Sequence, residues 1–87
     1  MIVILHNFRG SKYLINTNNI NAVEIRPVNS ETYAKEIAEA GGGPLSFIYI
    51  DWQFNASTSI LVSSETAEEF LNLFEGAIEI FYFINIL

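Results

Sequence analysis

The 87-residue chain has no cysteine, so disulfides and thiolate metal sites are excluded from the outset. Charge is scarce as well: 16% of residues are Asp, Glu, Lys or Arg, where about 25% is usual for a globular domain. Basic residues are scarcest, with four Lys and Arg against ten acids and a net charge of −6. Nucleic-acid binding draws mostly on phosphate neutralisation, so this balance argues against it. The single histidine, His6, cannot build a zinc site in a chain without cysteine, and reads as a hydrogen-bonded strand-end residue. A membrane helix needs about 20 largely uncharged residues, whereas the most apolar stretch, residues 70–87, is interrupted by Asn72, Glu75, Glu79 and Asn85. The opening Met-Ile-Val-Ile-Leu lacks the basic start of a secretory signal. A soluble, cytoplasmic protein with no membrane association is the expectation.

What the chain has in quantity is apolar side chain, 51% of all residues. A domain this small buries only about 60–65% of the surface its unfolded chain exposes, so it has much surface to cover and few charges to cover it with. Self-association is the usual remedy. The charge is also uneven. Residues 1–30 hold Arg9, Lys12 and Arg26 against Glu24, a balance of +2, while residues 31–87 hold Lys35 against nine acids, a balance of −8. An acidic body favours a partner with a basic surface.

Residues 2–6 and 12–16 are β-branched runs separated by turn chemistry around Gly10, and read as a hairpin. Residues 20–26 alternate, with Val23 and Ile25 on one face and Ala22, Glu24 and Arg26 on the other, until Pro27. Residues 28–44 form an insert: Ser30 is a candidate cap, residues 31–40 a candidate short helix, and Gly41-Gly42-Gly43-Pro44 a connector. "LSFIYIDW" (residues 45–52) and residues 57–63 make a second hairpin. Ser63 or Ser64 caps a main helix over about residues 65–75, with Ala67, Phe70, Leu71 and Phe74 forming its apolar face and Gly76 stopping it. Residues 77–87, "AIEIFYFINIL", are β-branched and aromatic and read as an apolar strand. The expected fold is a single α+β domain over residues 1–87, an antiparallel sheet of five to six strands in a meander of hairpins with the main helix packed on one face.

Chemistry-bearing patterns are sparse. Asp51, the only aspartate, sits inside a strand beside Trp52, where a solvent-facing role outweighs catalysis. Ser57, Ser59, Ser63 and Ser64 lack a G-x-S-x-G turn. The glycines of residues 41–43 precede Pro44 and a strand rather than opening a helix, so they read as a hinge or helix stop instead of a phosphate cradle. Glu65, Glu68 and Glu69 lack calcium-loop spacing. Arg9, Lys12, Arg26, Tyr13, Phe47, Tyr49 and Trp52 could in principle build a stacking surface for nucleic acid, but the net charge assigns the aromatics to core or interface. No catalytic residue, cofactor or metal is implied.

Gly10-Ser-Lys-Tyr-Leu-Ile-Asn16 followed by Ile20-Asn-Ala-Val-Glu24, with Val62-Ser-Ser-Glu65 before the main helix, resembles the small bacterial flagellar and swarming-motility protein family. The resemblance covers about half of the chain and implies a β-rich meander closed by a helix. It carries no function and no site residues. The chain departs from the family in its insert over residues 28–44, in Phe54-Asn55-Ala56-Ser57 where an Asn-Gly turn is expected, and in its apolar tail.

The function that follows is a small non-enzymatic interaction module. It is expected to self-associate, as a homodimer, through the tail residues Ile78, Ile80, Phe81, Tyr82, Phe83, Ile84, Ile86 and Leu87. One alternative is an acidic inhibitor from a phage or mobile element that blocks a basic enzyme or nucleic-acid-binding surface, which requires Glu31, Glu36, Glu39 and the main-helix glutamates on one continuous face. The other is a nucleotide-like ligand pocket at a subunit junction, lined by Tyr33, Tyr49 or Trp52 and gated by the glycine connector.

Overall fold

The structure, a computed structural model, describes residues 1–74 and the backbone of residues 79–82. In chain order the elements are β1 (Ile2–His6), β2 (Lys12–Asn16), a 3-10 turn (Thr17–Asn19), β3 (Ile20–Pro27), α1 (Ala34–Glu39), β4 (Leu45–Trp52), β5 (Thr58–Ser63), α2 (Ser64–Phe74) and β6 (Glu79–Tyr82).

These strands do not make the single antiparallel sheet of five to six strands that the pattern predicts. The α+β character holds, but β1 and β2 pair only with each other, and a second sheet has the order β5-β4-β3-β6. Within that sheet β5, β4 and β3 are antiparallel, and β6 lies parallel to β3. Two local features explain the departure. Residues 17–19 form a helical turn, with Asn16 accepting a hydrogen bond from the Asn18 backbone N–H. A tight reverse turn there would have continued the meander; the helical turn takes β3 off the hairpin's edge. The second feature is α2. Since β4 runs against both of its neighbours, β5 and β3 point the same way, and β6 points with them. The β5-α2-β6 stretch is therefore a parallel crossover, which needs a helix-length connection.

The alternation of β3, β4 and β5 divides the larger sheet into two faces. Val23, Ile25, Ile48, Ile50, Ile60 and Val62 lie on the inner face, all essentially buried. They pack with Ala67, Phe70 and Phe74 of α2, and with Leu5 and Ile15 of the hairpin, in one hydrophobic cluster. The Phe70 and Phe74 rings, four residues apart on one helix face, have centroids 4.5 Å apart. Serine 63 is the cap: its Oγ accepts from the Thr66 N–H at 3.1 Å, and Glu65 stands in the first turn, where the helix dipole favours an acid. Ser46, buried at the inner edge, exchanges a 2.9 Å hydrogen bond with Ser64. Among the described residues no buried side-chain nitrogen or oxygen lacks a partner.

The insert covers part of the outer face. Its helix α1 is shorter than the predicted residues 31–40. The Asn29 side chain, not Ser30, opens the turn ahead of it, accepting from Glu31 N–H at 2.8 Å. Gly41 and Gly42 end it with φ of 91° and 90°, values that cost a side-chain-bearing residue. A six-residue helix without a side-chain cap is unstable alone. It is tied down by the Tyr33 ring, edge-on to Phe47, and by an Arg9–Glu39 ion pair at 3.3 Å. The Phe8 N–H donates to the Leu61 carbonyl at 2.9 Å, which docks the β1–β2 turn against β5.

Candidate functional site

Two places on the larger sheet combine position with chemistry. The first is its outer face. Alternation turns Ala22, Glu24 and Arg26 of β3 outward, and the antiparallel register sets them opposite Asp51, Tyr49 and Phe47 of β4. Side chains this close across a ladder interact directly. The Arg26 guanidinium lies 5.3 Å from the centre of the Tyr49 ring, within cation–π range, and is ion-paired with Glu24. Tyr49 stacks obliquely on Phe47 at 5.6 Å, and Phe47 meets Tyr33 of the insert at 5.6 Å and 77°. A bulge at residues 20–22 offsets Asn21, whose amide donates to Asp51 Oδ2 at 3.1 Å. Beside this row is an open cleft of about 330 Å³, lined by Ala22, Glu24, Arg26, Tyr49, Ile50, Asp51 and Ser57.

The cleft offers two carboxylates, a guanidinium, a phenol and ring faces, a set suited to binding a polar or planar group. His6, the single histidine, is on the separate hairpin sheet and does not line the cleft with Asp51 and Ser57. Among the described residues no group of three His, Asp or Glu side chains could hold a metal ion.

The second place is the sheet edge formed by β6. Its residues Glu79, Ile80, Phe81 and Tyr82 stand opposite Ala22, Val23, Glu24 and Ile25. No described strand pairs with its far side. Within the described sheet β6 lies at a margin, next to the β3 side of the cleft. Of the expected contact residues, Ile80, Phe81 and Tyr82 fall in β6. Ile78, Phe83, Ile84, Ile86 and Leu87 lie outside the described residues.

The other sequence candidates separate. Tyr33 and Tyr49 are brought together, with Phe47 between them. Trp52 is not with them: it packs against the inner core and donates from Nε1 to Thr58 Oγ1 at 2.8 Å. Of the possible nucleic-acid-stacking residues, Arg26, Phe47 and Tyr49 share the outer face, while Lys12 and Tyr13 are on the hairpin and Arg9 is in its turn. The acids divide as well. Glu31, Glu36 and Glu39 belong to the insert, Glu39 being paired with Arg9, and Glu65, Glu68 and Glu69 belong to α2.

Sequence reasoning missed Asn21, because a bulge has no simple signal, and it missed the outer face of the hairpin. There Ile2, Ile4 and Leu14 are exposed on the side away from Leu5 and Ile15. The missing polar alternation in residues 2–5 and 13–15 was the available sign.

Comparison with known protein families, with curated proteins and with solved structures finds no match. Nothing in those comparisons bears on the flagellar and swarming-motility resemblance. Among the described residues no helix is long and apolar enough to cross a membrane.

Proposed function

We propose that this chain is a small non-enzymatic protein–protein interaction module that self-associates, as a homodimer, through its C-terminal strand. The observation that carries the reading is the position of β6: an edge strand whose far side has no described partner, in a tail with almost no charge. Unpaired edge N–H and C=O groups are a template for another strand, and natural edges are usually blunted by lysine, proline or a bulge. Residues 77–87 contain neither lysine nor proline. Antiparallel addition of β6 to its symmetry mate would join two four-stranded sheets about a twofold axis, a closed arrangement of the commonest kind.

Light scattering on the intact chain and on a chain ending at Gly76 tests this, with Trp52 fluorescence as the check on folding. The intact chain is expected at twice the 9.8 kDa monomer mass, or a higher multiple, and the shortened chain at a lower multiple. A folded intact chain that is monomeric at every concentration would overturn the reading.

A second reading, a small-ligand site at the same junction, is favoured by the Tyr33–Phe47–Tyr49–Arg26 row beside the 330 Å³ cleft. Thermal-shift screening against nucleotides tests it, with Tyr49→Ala expected to abolish any shift. No shift from any nucleotide counts against it.

A further inference from the structure

The insert is joined to the body by backbone only at its two ends. At one end the Val28 N–H donates to the Leu45 carbonyl at 3.1 Å, and at the other the Pro44 carbonyl accepts from the Ser64 N–H at 3.0 Å. Between those ties the described backbone hydrogen bonds close within the insert: Tyr33 to Asn29, Ile37 to Tyr33, Ala40 to Glu36 and Gly42 to Ile37. Docking therefore rests on side chains. Tyr33, Ile37 and Ala40, spaced to share one side of the helical segment, are half-buried, and no residue of α1 is fully buried. Tyr33 meets the Phe47 ring edge-on at 5.6 Å, and Glu39 pairs with Arg9 at 3.3 Å. The group that receives Glu39 is itself well held. Asn7 Oδ1 accepts from the Arg9 and Ser11 N–H groups at 3.0 and 2.9 Å, which shapes the β1–β2 turn. The Phe8 N–H fixes that turn to the Leu61 carbonyl of β5, and the Arg9 guanidinium lies 4.9 Å from the centre of the Phe8 ring.

We infer that residues 29–43 are a hinged lid on the outer face, latched through Glu39 by Arg9, which opens while both sheets stay folded. A segment with few buried contacts opens at a free energy below that of global unfolding. The helix has six residues and no side-chain cap, so it does not persist once undocked, and release of the lid and melting of α1 are one event. Gly41 and Gly42, both in left-handed backbone with open space around them, reverse the chain behind α1 and put no side chain in its way. The latch spans two elements that are distant in sequence, so it reports docking and not helix formation alone. Opening lifts Tyr33 from Phe47, and the aromatic wall beside the cleft then runs from Tyr49 to an uncovered Phe47 ring. In that consequence the lid deepens the small-ligand reading by giving the site an access step; the opening itself needs no ligand.

The test is amide hydrogen exchange, read by NMR on the full chain with no nucleotide present, so that a failed lid and a failed ligand screen are separate results. Protection of the Ile37, Ala40 and Gly42 amides should be lower than that of the β4 amides by roughly tenfold or more, and should depend less on urea, as a local opening does. Glu39→Gln should speed exchange at those three amides by about twofold to fivefold, the range of an exposed ion pair, and leave β4 unchanged. Arg9→Gln, made on the hairpin turn, should do the same, which a change in helix propensity would not explain. Raising the salt concentration should speed the same amides in the native chain and have no such effect in either variant. Tyr33→Ala should speed them by about tenfold, through the lost ring contact. Equal protection and equal urea dependence in the insert and in β4 would refute the inference. Exchange unmoved by Glu39→Gln, by Arg9→Gln and by salt would refute it as well.

Discussion

Phe70→Ala is the substitution on which the crossover helix stands or falls. Phe70 is 1% exposed, packs in the cluster that joins both sheets to α2, and has the Phe74 ring 4.5 Å away. Truncation removes the transfer energy of a buried ring and leaves a cavity, together about 3–5 kcal/mol. A domain of 87 residues has a total stability of roughly 4–13 kcal/mol, so the variant should lose about a quarter of it or more. Phe70→Leu keeps most of the volume and should cost about 1–2 kcal/mol, including the lost aromatic pair. Asn72→Ala, on the exposed side of the same helix, should change stability by less than about 0.5 kcal/mol. Urea unfolding followed by the single tryptophan, Trp52, reports all three, and an unchanged m-value would certify that only stability moved. A loss below about 1 kcal/mol for Phe70→Ala, or equal losses for Phe70→Ala and Asn72→Ala, would refute the placement of α2 on the inner face.

Other expectations follow from single contacts. Ser63→Ala removes the acceptor for the Thr66 N–H and should cost about 1 kcal/mol in the same titration, with Ser63→Asp largely retaining stability. Thr58→Val leaves the part-buried Trp52 Nε1–H without its 2.8 Å partner. It should destabilise by about 1–2 kcal/mol and shift the native tryptophan emission, whereas Thr58→Ser should do neither.

Much of the local structure was legible, and the reasons are specific. Phe70 and Phe74 announce α2 through their spacing, and the Ser63-Ser64 pair announces its start, with the Thr66 N–H bond selecting Ser63. Val23 with Ile25, and Ile48 with Ile50, announce which sides of β3 and β4 face inward. What local pattern does not encode is the direction in which consecutive elements are laid. Nothing in Thr17-Asn18-Asn19 separates a reverse turn from a helical one until Asn16 is seen bonding the Asn18 N–H. Nor does the helix-then-strand order of residues 64–82 say that the strand returns beside β3 instead of β5. The candidate cleft divides in the same way. Tyr33 and Tyr49 were named as pocket lining, yet their link through Phe47 depends on how the insert folds back. Trp52 was grouped with them and sits on the other face, since residue 52 has the parity of 48 and 50 and not that of 49. Asp51 reached the cleft, where it accepts a hydrogen bond from Asn21. The exposed hairpin face was written in the unbroken "IVIL" of residues 2–5, but only the register with β2 reveals which of those side chains remain uncovered.

The most direct test of self-association through the C-terminal strand is an isotope-filtered NMR experiment on an equal mixture of labelled and unlabelled chains, which records only contacts between copies. The account predicts intermolecular contacts within residues 79–82, between antiparallel strands related by a twofold axis. An oligomer whose intermolecular contacts all lie elsewhere, or a mixture with none, would contradict it.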